Sequence, residues 1–298
     1  MITLENDVLT VKIKTSGAEV VSVVDKATGH EFMWQADAAY WGRHAPVLFP
    51  IVGRLKKDAY EYDGETYEMT QHGFARDSMF EVVEDSDHTA VFSLRANAET
   101  RTKYPFEFEL QIKYVLEEER LTVAYEVKNL SADEEMFYGV GGHPAFNVSQ
   151  TTNEAGEVEF NQVQFRFESN DEVLYIPLSE NGYLQLSEAE PTKVGVVHLT
   201  HESFKNDAFI YKIQPNTQTI LTDHAADVEI RVTSNEMEHI GIWSPYPARG
   251  GFVCLEPWAG VADDEETSGR YNEKYGIQSL DPATSKTHDY TLEFNKKA

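Results

Sequence analysis

The chain has 298 residues, with 51 acidic and 25 basic side chains and a formal net charge of −26. Hydrophobic residues make up 41% of it and aromatic residues 12%, which excludes a disordered chain and supports a large packed core. The charge argues against a nucleic-acid or membrane partner, because both kinds of binding need clustered Lys and Arg. A small anion held by a local group of arginines remains compatible with it.

Alternating apolar and polar residues predict strands along most of the chain. The clearest runs lie at 8–14, 107–114, 121–128 and 228–233, where every second side chain would face a core. Asp63-Gly64 predicts a two-residue hairpin between two tyrosine-containing runs, and residues 117–120 predict another tight connection. Helix signals are confined to 98–104, which Pro105 would end, and to one turn at 203–207.

Short strands with frequent turns are typical of a sandwich of antiparallel sheets rather than of βαβ units. The chain shows no repeat, no low-complexity segment and no linker rich in Pro, Gly or Ser. We therefore expect a large all-β antiparallel sandwich with few short helices, forming one domain over residues 1–298. The acidic run at 263–266 we interpret as a solvated loop, with calcium binding as the weaker alternative, because its spacing matches no EF-hand.

Cysteine content and the N-terminal sequence bear on cofactors and location. Cys254 is the only cysteine, so we expect no internal disulfide, no thiolate zinc site and a thiol packed inside a strand. The first residues lack the basic start and apolar stretch of a signal peptide, and no apolar run approaches the roughly 20 residues that span a bilayer. We expect a cytoplasmic protein. His198 and His201 lack further ligands, so we expect neither a metal nor another cofactor.

Four short stretches are not explained by sheet building: residues 46–54, 71–77, 139–147 and 253–260. Three of them place a Gly or Pro beside one ionisable residue: His72-Gly73, His143-Pro144 and Glu256-Pro257. Such residues end strands, and strand ends often aim a polar side chain into a cleft. Either histidine alone is more often a surface or satisfied core residue. Glu256 is the stronger candidate, because its apolar neighbours suggest burial and a buried carboxylate is costly without partners.

Taken together and in this order, the four stretches resemble the aldose 1-epimerase (galactose mutarotase) family, and most closely its LacX-like branch. The motifs that carry the resemblance are Phe49-Pro50 with Gly53-Arg54, His72-Gly-Phe-Ala-Arg76, His143-Pro144 and Leu255-Glu-Pro-Trp-Ala-Gly260. The resemblance implies a galactose-mutarotase-like β-sandwich with its active site in a cleft on the concave sheet. It also implies cofactor-free interconversion of the α and β anomers of an aldose.

The resemblance further implies roles for individual residues. His143 corresponds to the family's general acid, Glu256 to its general base, and His72 to the second histidine near the ring oxygen. Arg54 corresponds to the substrate-binding arginine. Asp207, which precedes an apolar strand, corresponds to the aspartate that holds sugar hydroxyls.

These residue types suit anomerisation, in which a base takes the C1 hydroxyl proton while an acid protonates the ring oxygen. Imidazole titrates at about 6.5 and can donate a proton near neutrality. A partly desolvated Glu256 would have a similar proton affinity, so that each group can act as acid in one half-cycle and as base in the other. Trp258, Phe74 and Phe146 are candidates for an apolar face against the sugar ring, with core packing as the alternative for at least one of them.

The substrate stays open between a free aldose and a sugar phosphate. Residues 72–76 also resemble hexose-6-phosphate epimerases of the same superfamily, in which basic residues hold the phosphate. Arg54 and Arg76, with Arg43, could form such a pocket, because arginine donates two parallel hydrogen bonds. An ion pair with Asp77 is the equally weighted alternative for Arg76. Gly139-Val-Gly-Gly142 departs from the Asn-His pair of galactose mutarotases proper, which leaves galactose specificity open, and we favour a neutral aldose.

Two other function classes compete with an isomerase. A non-catalytic sugar-binding protein on the same fold would need neither an acid nor a base, yet both positions are filled. A glycoside hydrolase usually needs two carboxylates across the scissile bond, whereas the implied pair here is a histidine and a glutamate. We therefore expect an isomerase that acts on a small-molecule sugar or sugar phosphate as a monomer or homodimer.

Overall fold

The computed structural model describes residues 1–169 and 171–296. Most of them lie in strands, which are numbered here in chain order: β1 (Ile2–Glu5), β2 (Leu9–Ile13), β3 (Val20–Asp25), β4 (Val47–Leu48), β5 (Ala59–Tyr62), β6 (Glu65–Glu68), β7 (Glu81–Asp85), β8 (Thr89–Arg95), β9 (Phe108–Glu117), β10 (Arg120–Asn129), β11 (Met136–Tyr138), β12 (Val140–Gly142), β13 (Ala145–Asn147), β14 (Gln150–Thr152), β15 (Val158–Phe160), β16 (Val163–Phe167), β17 (Val173–Ile176), β18 (Glu190–Thr192), β19 (Val197–His198), β20 (Phe209–Lys212), β21 (Thr217–Asp223), β22 (Val228–Ser234), β23 (His239–Trp243), β24 (Phe252–Ala259), β25 (Gln278–Leu280) and β26 (Ser285–Lys296).

Helical structure is scarce in the described part of the chain. It consists of the α-helix α1 (Ala98–Arg101) and short 3-10 helices at Lys56–Asp58, Ala75–Asp77, Leu186–Glu188, His201–Phe204 and Tyr271–Glu273. Across residues 1–169 and 171–296, no helix has the length and apolar character needed to cross a membrane.

Two large antiparallel sheets carry the fold. In the described ranges the larger sheet has the strand order β19-β16-β21-β22-β26-β10-β9-β8-β7, and the smaller has the order β18-β17-β20-β23-β24-β12-β4, with β13 also paired to β24. Phe165 of the larger sheet contacts Phe209 and Tyr211 of the smaller one, with ring centroids 5.9 and 6.4 Å apart. The all-β sandwich expected from the alternating sequence pattern is therefore confirmed.

Alternation along the strands separates the main core from the face that carries the site. In β24, Val253, Leu255 and Ala259 lie in the main core that both sheets share. Cys254 and Trp258 lie in two smaller apolar clusters instead. Because successive side chains of a strand point to opposite faces, Glu256 shares the face of these two residues and points away from the main core.

The local predictions about turns and helices are largely confirmed. Asp63 and Gly64 both have positive φ and join β5 to β6, as a type I′ hairpin turn requires. A tight connection at 117–120 joins β9 to β10. Helix α1 is shorter than predicted and begins after Asn97, whose side chain accepts hydrogen bonds from two backbone N–H groups. The turn expected at 203–207 lies earlier, at His201–Phe204, because Thr200 caps it.

The acidic run at 263–266 is only partly the solvated loop that its composition predicts. Glu265 and Glu266 are exposed, but Asp263 is 3% exposed and faces the Lys274 ammonium at 3.4 Å. A carboxylate can be buried when a cation lies beside it. Here that cation, Lys274, comes from a segment that follows the acidic run. Cys254 is a buried free thiol in a strand, as expected.

Candidate active site

A cavity of about 380 Å³ lies on the face of the smaller sheet that points away from the main core. It brings together seven of the residues that the sequence analysis singled out for catalysis or substrate binding, although they are spread over more than 200 positions of the chain: Arg54, His72, Arg76, His143, Asp207, Glu256 and Trp258. We therefore treat this cavity as the candidate active site.

His143 and Glu256 form a buried pair at the border of the cavity. Glu256 lies in β24, and His143 directly follows β12, which pairs with β24 through Val140 and Gly141. This pairing brings the His143 Nε2 atom to 3.1 Å from Glu256 Oε2, with the two side chains only 8% and 2% exposed. The distance and the burial make this a close acid–base contact.

Burial disfavours the charged form of both members of this pair. It raises the pKa of Glu256, and the negative charge of Asp207 raises it further. It lowers the pKa of His143, and the positive charges of Arg76 and Arg43 add to that effect. Both shifts favour the neutral forms, which are a protonated Glu256 beside a neutral His143.

His72 is held as a neutral hydrogen-bond donor. The Gly53 amide donates to His72 Nδ1 at 3.1 Å, and the His72 amide donates back to the Gly53 carbonyl at 2.8 Å. Because Nδ1 accepts, this hydrogen bond assigns the ring proton of the neutral form to Nε2. Burial lowers the pKa of His72 well below its usual value, and His143 lowers it further. With Nδ1 occupied by the Gly53 amide, the Nε2–H group of the neutral ring is the donor that His72 can offer to a ligand.

The residue that follows His72 has to be a glycine. Gly73 has a φ of +70°, and a Cβ built there would lie 2.2 Å from the Phe49 carbonyl oxygen. A larger residue would have to push this backbone apart. The His-Gly pair in the motif thus has a steric reason.

Aromatic rings surround the acid–base pair. Trp41 stacks on His143 with ring centroids 4.9 Å apart, and Trp243 meets its edge at 5.7 Å. Trp258 borders the cavity but packs closely over Gly141 and Gly241, where an added Cβ would lie 2.6 and 2.4 Å from its ring. Trp258 is consequently 4% exposed, and much of its ring is used for packing.

Phe74 and Phe146 do not border the cavity that the described residues form. Phe146 is fully buried in the main core, and Phe74 packs against that core. Of the three proposed apolar faces, only that of Trp258 is at the site, and the core-packing alternative holds for the two phenylalanines.

The arginines near the site have different partners. Arg76 borders the cavity, donates from Nη2 to the Gln71 carbonyl at 2.7 Å and places Nε 3.8 Å from Asp77. The contact with Asp77 considered for Arg76 is present, and a role in holding a phosphate stays a prediction. Arg43 pairs with Asp77 at 2.9 Å and does not border the cavity of the described chain, so of the arginines considered for a phosphate pocket, Arg54 and Arg76 lie at the cavity.

Arg54 and Asp207 lie on the side of the cavity that a short hairpin covers. Asp207 precedes β20, and burial raises its pKa, whereas the positive charge of Arg54 lowers it. Arg54 is exposed and donates from Nη1 to the Asn181 carbonyl at 3.4 Å. Glu180 and Asn181, at the tip of the hairpin, also border the cavity.

Several bordering residues were missed by the sequence analysis as site residues: Trp41, Gln71, Glu180, Asn181 and Trp243. Gln71 adjoins the motif at 72–76 and could have been included with it. The others stand in a loop, a turn and a regular strand, where nothing local distinguishes a cavity residue from any other.

A nitrogen, a sulfur and an oxygen ligand also come together here. Possible ligand atoms of His143, Cys254 and Glu256 lie within 4.8 Å of one another, and such a set is compatible with zinc. However, burial raises the pKa of the Cys254 thiol well above its usual value, and the charge of Glu256 adds to this. The Cys254 side chain does not border the cavity of the described chain, so only His143 and Glu256 of this grouping face a ligand there.

Comparison with known proteins identifies the family of the chain. Residues 1–268 match the model of the aldose 1-epimerase family. The chain is 31% identical to protein LacX of Lactococcus lactis subsp. lactis, over 98% of this chain and 99% of that protein.

Two solved structures share the fold along nearly the whole chain. A galactose mutarotase related enzyme from Lactobacillus acidophilus has a TM-score of 0.92 at 38% identity, covering 99% of this chain and 97% of its own. A galactose mutarotase-like protein from Lactobacillus casei has a TM-score of 0.91 at 31% identity, covering 99% and 100%. The chain therefore belongs to the aldose 1-epimerase family and has the galactose-mutarotase-like fold.

Proposed function

We propose that this protein is a cofactor-independent mutarotase that interconverts the α and β anomers of a small aldose. The observation that carries the proposal is the buried pair of His143 and Glu256, whose Nε2 and Oε2 atoms lie 3.1 Å apart beside a cavity. Membership of the aldose 1-epimerase family supports it. A protein that only binds sugar has no need for a buried acid–base pair.

Ring opening and ring closure use the same two groups in opposite protonation states. In the opening step, Glu256 takes the proton of the C1 hydroxyl, His143 gives a proton to the ring oxygen, and the C1–O5 bond breaks. After rotation about C1–C2, His143 takes the C5 hydroxyl proton as that oxygen attacks C1, and Glu256 returns its proton to the former carbonyl oxygen. The pair holds one proton at the start and one at the end.

The surrounding electrostatics suit this exchange. Burial favours a protonated Glu256 beside a neutral His143. The proton therefore passes across the 3.1 Å contact to His143 Nε2 before ring opening, which leaves Glu256 as the carboxylate that takes the C1 hydroxyl proton. His72, as a neutral Nε2–H donor, stabilises the developing charge on the ring oxygen and orients it. Arg54 and Asp207 bind sugar hydroxyls, with Asp207 also raising the proton affinity of Glu256.

The substrate that we propose is a neutral aldose. Arg76 already donates to the Gln71 carbonyl and contacts Asp77, and Asp207 and Glu180 add carboxylates to the border of the cavity. The net charge of −26 also repels a sugar phosphate on approach, although salt screens that repulsion beyond roughly 8–10 Å.

A hexose 6-phosphate is the second candidate, and one observation favours it. Arg54 and Arg76 both border the cavity. Two guanidinium groups at one cavity can donate paired hydrogen bonds to a phosphate.

Polarimetry of freshly dissolved α-glucose, α-galactose and arabinose, each with and without the protein, tests the proposed activity. We expect a faster approach to the equilibrium rotation, and no release of free sugar from a glycoside in a parallel hydrolysis control. If these sugars and their phosphates quench tryptophan fluorescence but none mutarotates faster than in buffer, the protein is a sugar-binding protein and the proposal is wrong.

A further inference from the structure

A second buried ionic pair lies beside the cavity without bordering it. Asp263 and Lys274 are 3% and 7% exposed, and their Oδ1 and Nζ atoms are 3.4 Å apart. The Lys274 ammonium also donates to the Val261 carbonyl. Both charged groups are thus taken out of water, which is costly unless they are paired and hydrogen-bonded.

Asp263 joins the segment that carries Arg54 to the segment that follows β24. Its amide donates to the Arg54 carbonyl at 2.9 Å, and its Oδ2 accepts from the Lys56 amide at 2.8 Å. These two bonds hold the backbone on either side of Leu55. The Arg54 segment is therefore fixed to the strand that supplies Glu256.

Asp263 also holds the hairpin that covers the other side of the cavity. Its carbonyl accepts from the Leu184 amide at 2.8 Å, and the Glu265 amide donates to the Leu184 carbonyl at 3.1 Å. Leu184 closes this hairpin by bridging to Leu178. The hairpin in turn supplies Asn181, whose carbonyl accepts from Arg54.

The Arg54 segment also determines the state of His72. Gly53, which donates to His72 Nδ1, packs so closely on the residue before Asp263 that a Cβ on Gly53 would lie 2.6 Å from the Ala262 Cβ. A displacement of the 262–263 backbone would therefore reach both Arg54 and the hydrogen bond on His72.

We propose that Asp263 and Lys274 are positioning residues that hold Arg54, the Gly53–His72 hydrogen bond and the 178–184 hairpin in the geometry that binds sugar. This inference rests on the proposed function for its link to turnover, but its effect on sugar binding stands without it. Removing the pair allows Arg54 and the 178–184 hairpin to move. His143 and Glu256 stay in contact with each other, because the pairing of β12 with β24 positions them.

The test compares two variants with a matched control. Asp263→Asn and Lys274→Met each remove one charge, and Glu109→Gln removes a buried carboxylate that pairs with Arg95 in the larger sheet, away from the cavity. We expect Asp263→Asn and Lys274→Met to raise KM by about 10-fold or more with a smaller change in kcat. We expect Glu109→Gln to leave KM and kcat unchanged despite a similar loss of thermal stability.

Sugar binding, followed by the fluorescence of Trp41 and Trp243, separates this inference from the proposed activity. Weaker binding in both variants, with or without mutarotation by the parent protein, supports the positioning role. If a single variant does not fold, the double variant Asp263→Asn/Lys274→Met leaves no unpaired buried charge and carries the test. Parent-like KM and binding in folded variants, or an equal rise in KM in Glu109→Gln, would overturn the inference.

Discussion

Two buried acid–base pairs lie close to the same cavity, and their surroundings differ. Asp263 and Lys274 are hydrogen-bonded to backbone groups as well as to each other. His143 and Glu256 contact each other at 3.1 Å, but His143 Nδ1 has no hydrogen-bond partner among the described residues.

This difference indicates that burial alone does not distinguish a catalytic pair from a structural one. A charge that is fully satisfied by fixed partners stays charged and keeps its place. A pair with few fixed partners, whose neutral forms burial favours, can move a proton between its members without a change in its total charge. By this criterion His143 and Glu256 are suited to proton transfer, and Asp263 and Lys274 to holding the backbone.

The largest expected effect comes from breaking the first pair. We expect His143→Asn and Glu256→Gln each to lower kcat by about 10²–10⁴-fold, because each removes a group that transfers a proton. Polarimetry measures the rate, and thermal unfolding shows that the variants are folded. His72→Asn should have an equal or smaller effect, because it removes a hydrogen-bond donor and not a proton carrier.

His201→Asn is the matched control for this comparison. His201 is fully buried against Phe160 and does not border the cavity of the described chain. Its replacement should leave the rate close to that of the parent. A near-parental rate in folded His143→Asn or Glu256→Gln would reject the assignment of the pair.

The dependence of kcat/KM on pH sharpens the same comparison. The pair is active with one proton, so activity falls when it gains a second and when it loses the last. Since burial lowers the pKa of His143 below its ordinary 6.5, the second proton is lost early as pH rises, and the midpoint of the acid limb lies below pH 6.5. Since the pKa of Glu256 is raised above its ordinary 4.5, the midpoint of the alkaline limb lies at a higher pH than an ordinary carboxyl would give.

A bell-shaped profile whose acid limb is centred below pH 6.5 is therefore expected from rates measured between pH 4 and pH 10 in buffers of constant ionic strength. Glu109→Gln should give the same profile as the parent. An acid limb centred at or above pH 6.5 would indicate a solvated histidine as the titrating group and would contradict the shared-proton account.

A moderate effect is expected at Arg76. On a neutral aldose, Arg76→Ala should change kcat/KM only slightly, because this side chain pairs with Gln71 and Asp77 and not with the reacting atoms. Free sugars should also be better substrates than their 6-phosphates in the parent protein. A strong preference for a 6-phosphate that is lost in Arg76→Ala would replace the neutral substrate with a phosphorylated one.

The smallest effect is expected from removing metals. Dialysis against a chelator should leave the rate unchanged, because the proposed proton transfers use His143 and Glu256 alone. Metal analysis of the dialysed protein accompanies the rate measurement. A loss of activity that zinc or calcium restores would show that the grouping of His143, Cys254 and Glu256 holds a metal after all.

The strands of the sandwich were predictable because they follow from the alternation of apolar and polar residues within short segments. The hairpin at Asp63-Gly64 was predictable because two adjacent residues determine its turn. The site motifs were predictable because Gly73 and Pro144 interrupt strands beside a histidine. The distance between His143 and Glu256 was not, since it depends on the register of β12 against β24. The burial of Asp263 was not predictable either, because the composition of an acidic run suggests solvent exposure. Its partner, Lys274, comes from a later segment of the chain.

The most direct test of the central claim is a double-variant cycle at the acid–base pair, read by polarimetry. If His143 and Glu256 act as one proton-sharing unit, the variant His143→Asn/Glu256→Gln is scarcely slower than either single variant, because removing one member already disables the other. If the two groups act independently, or if one of them has no part in the reaction, the losses multiply or one substitution has no effect. Either of these results would contradict the account.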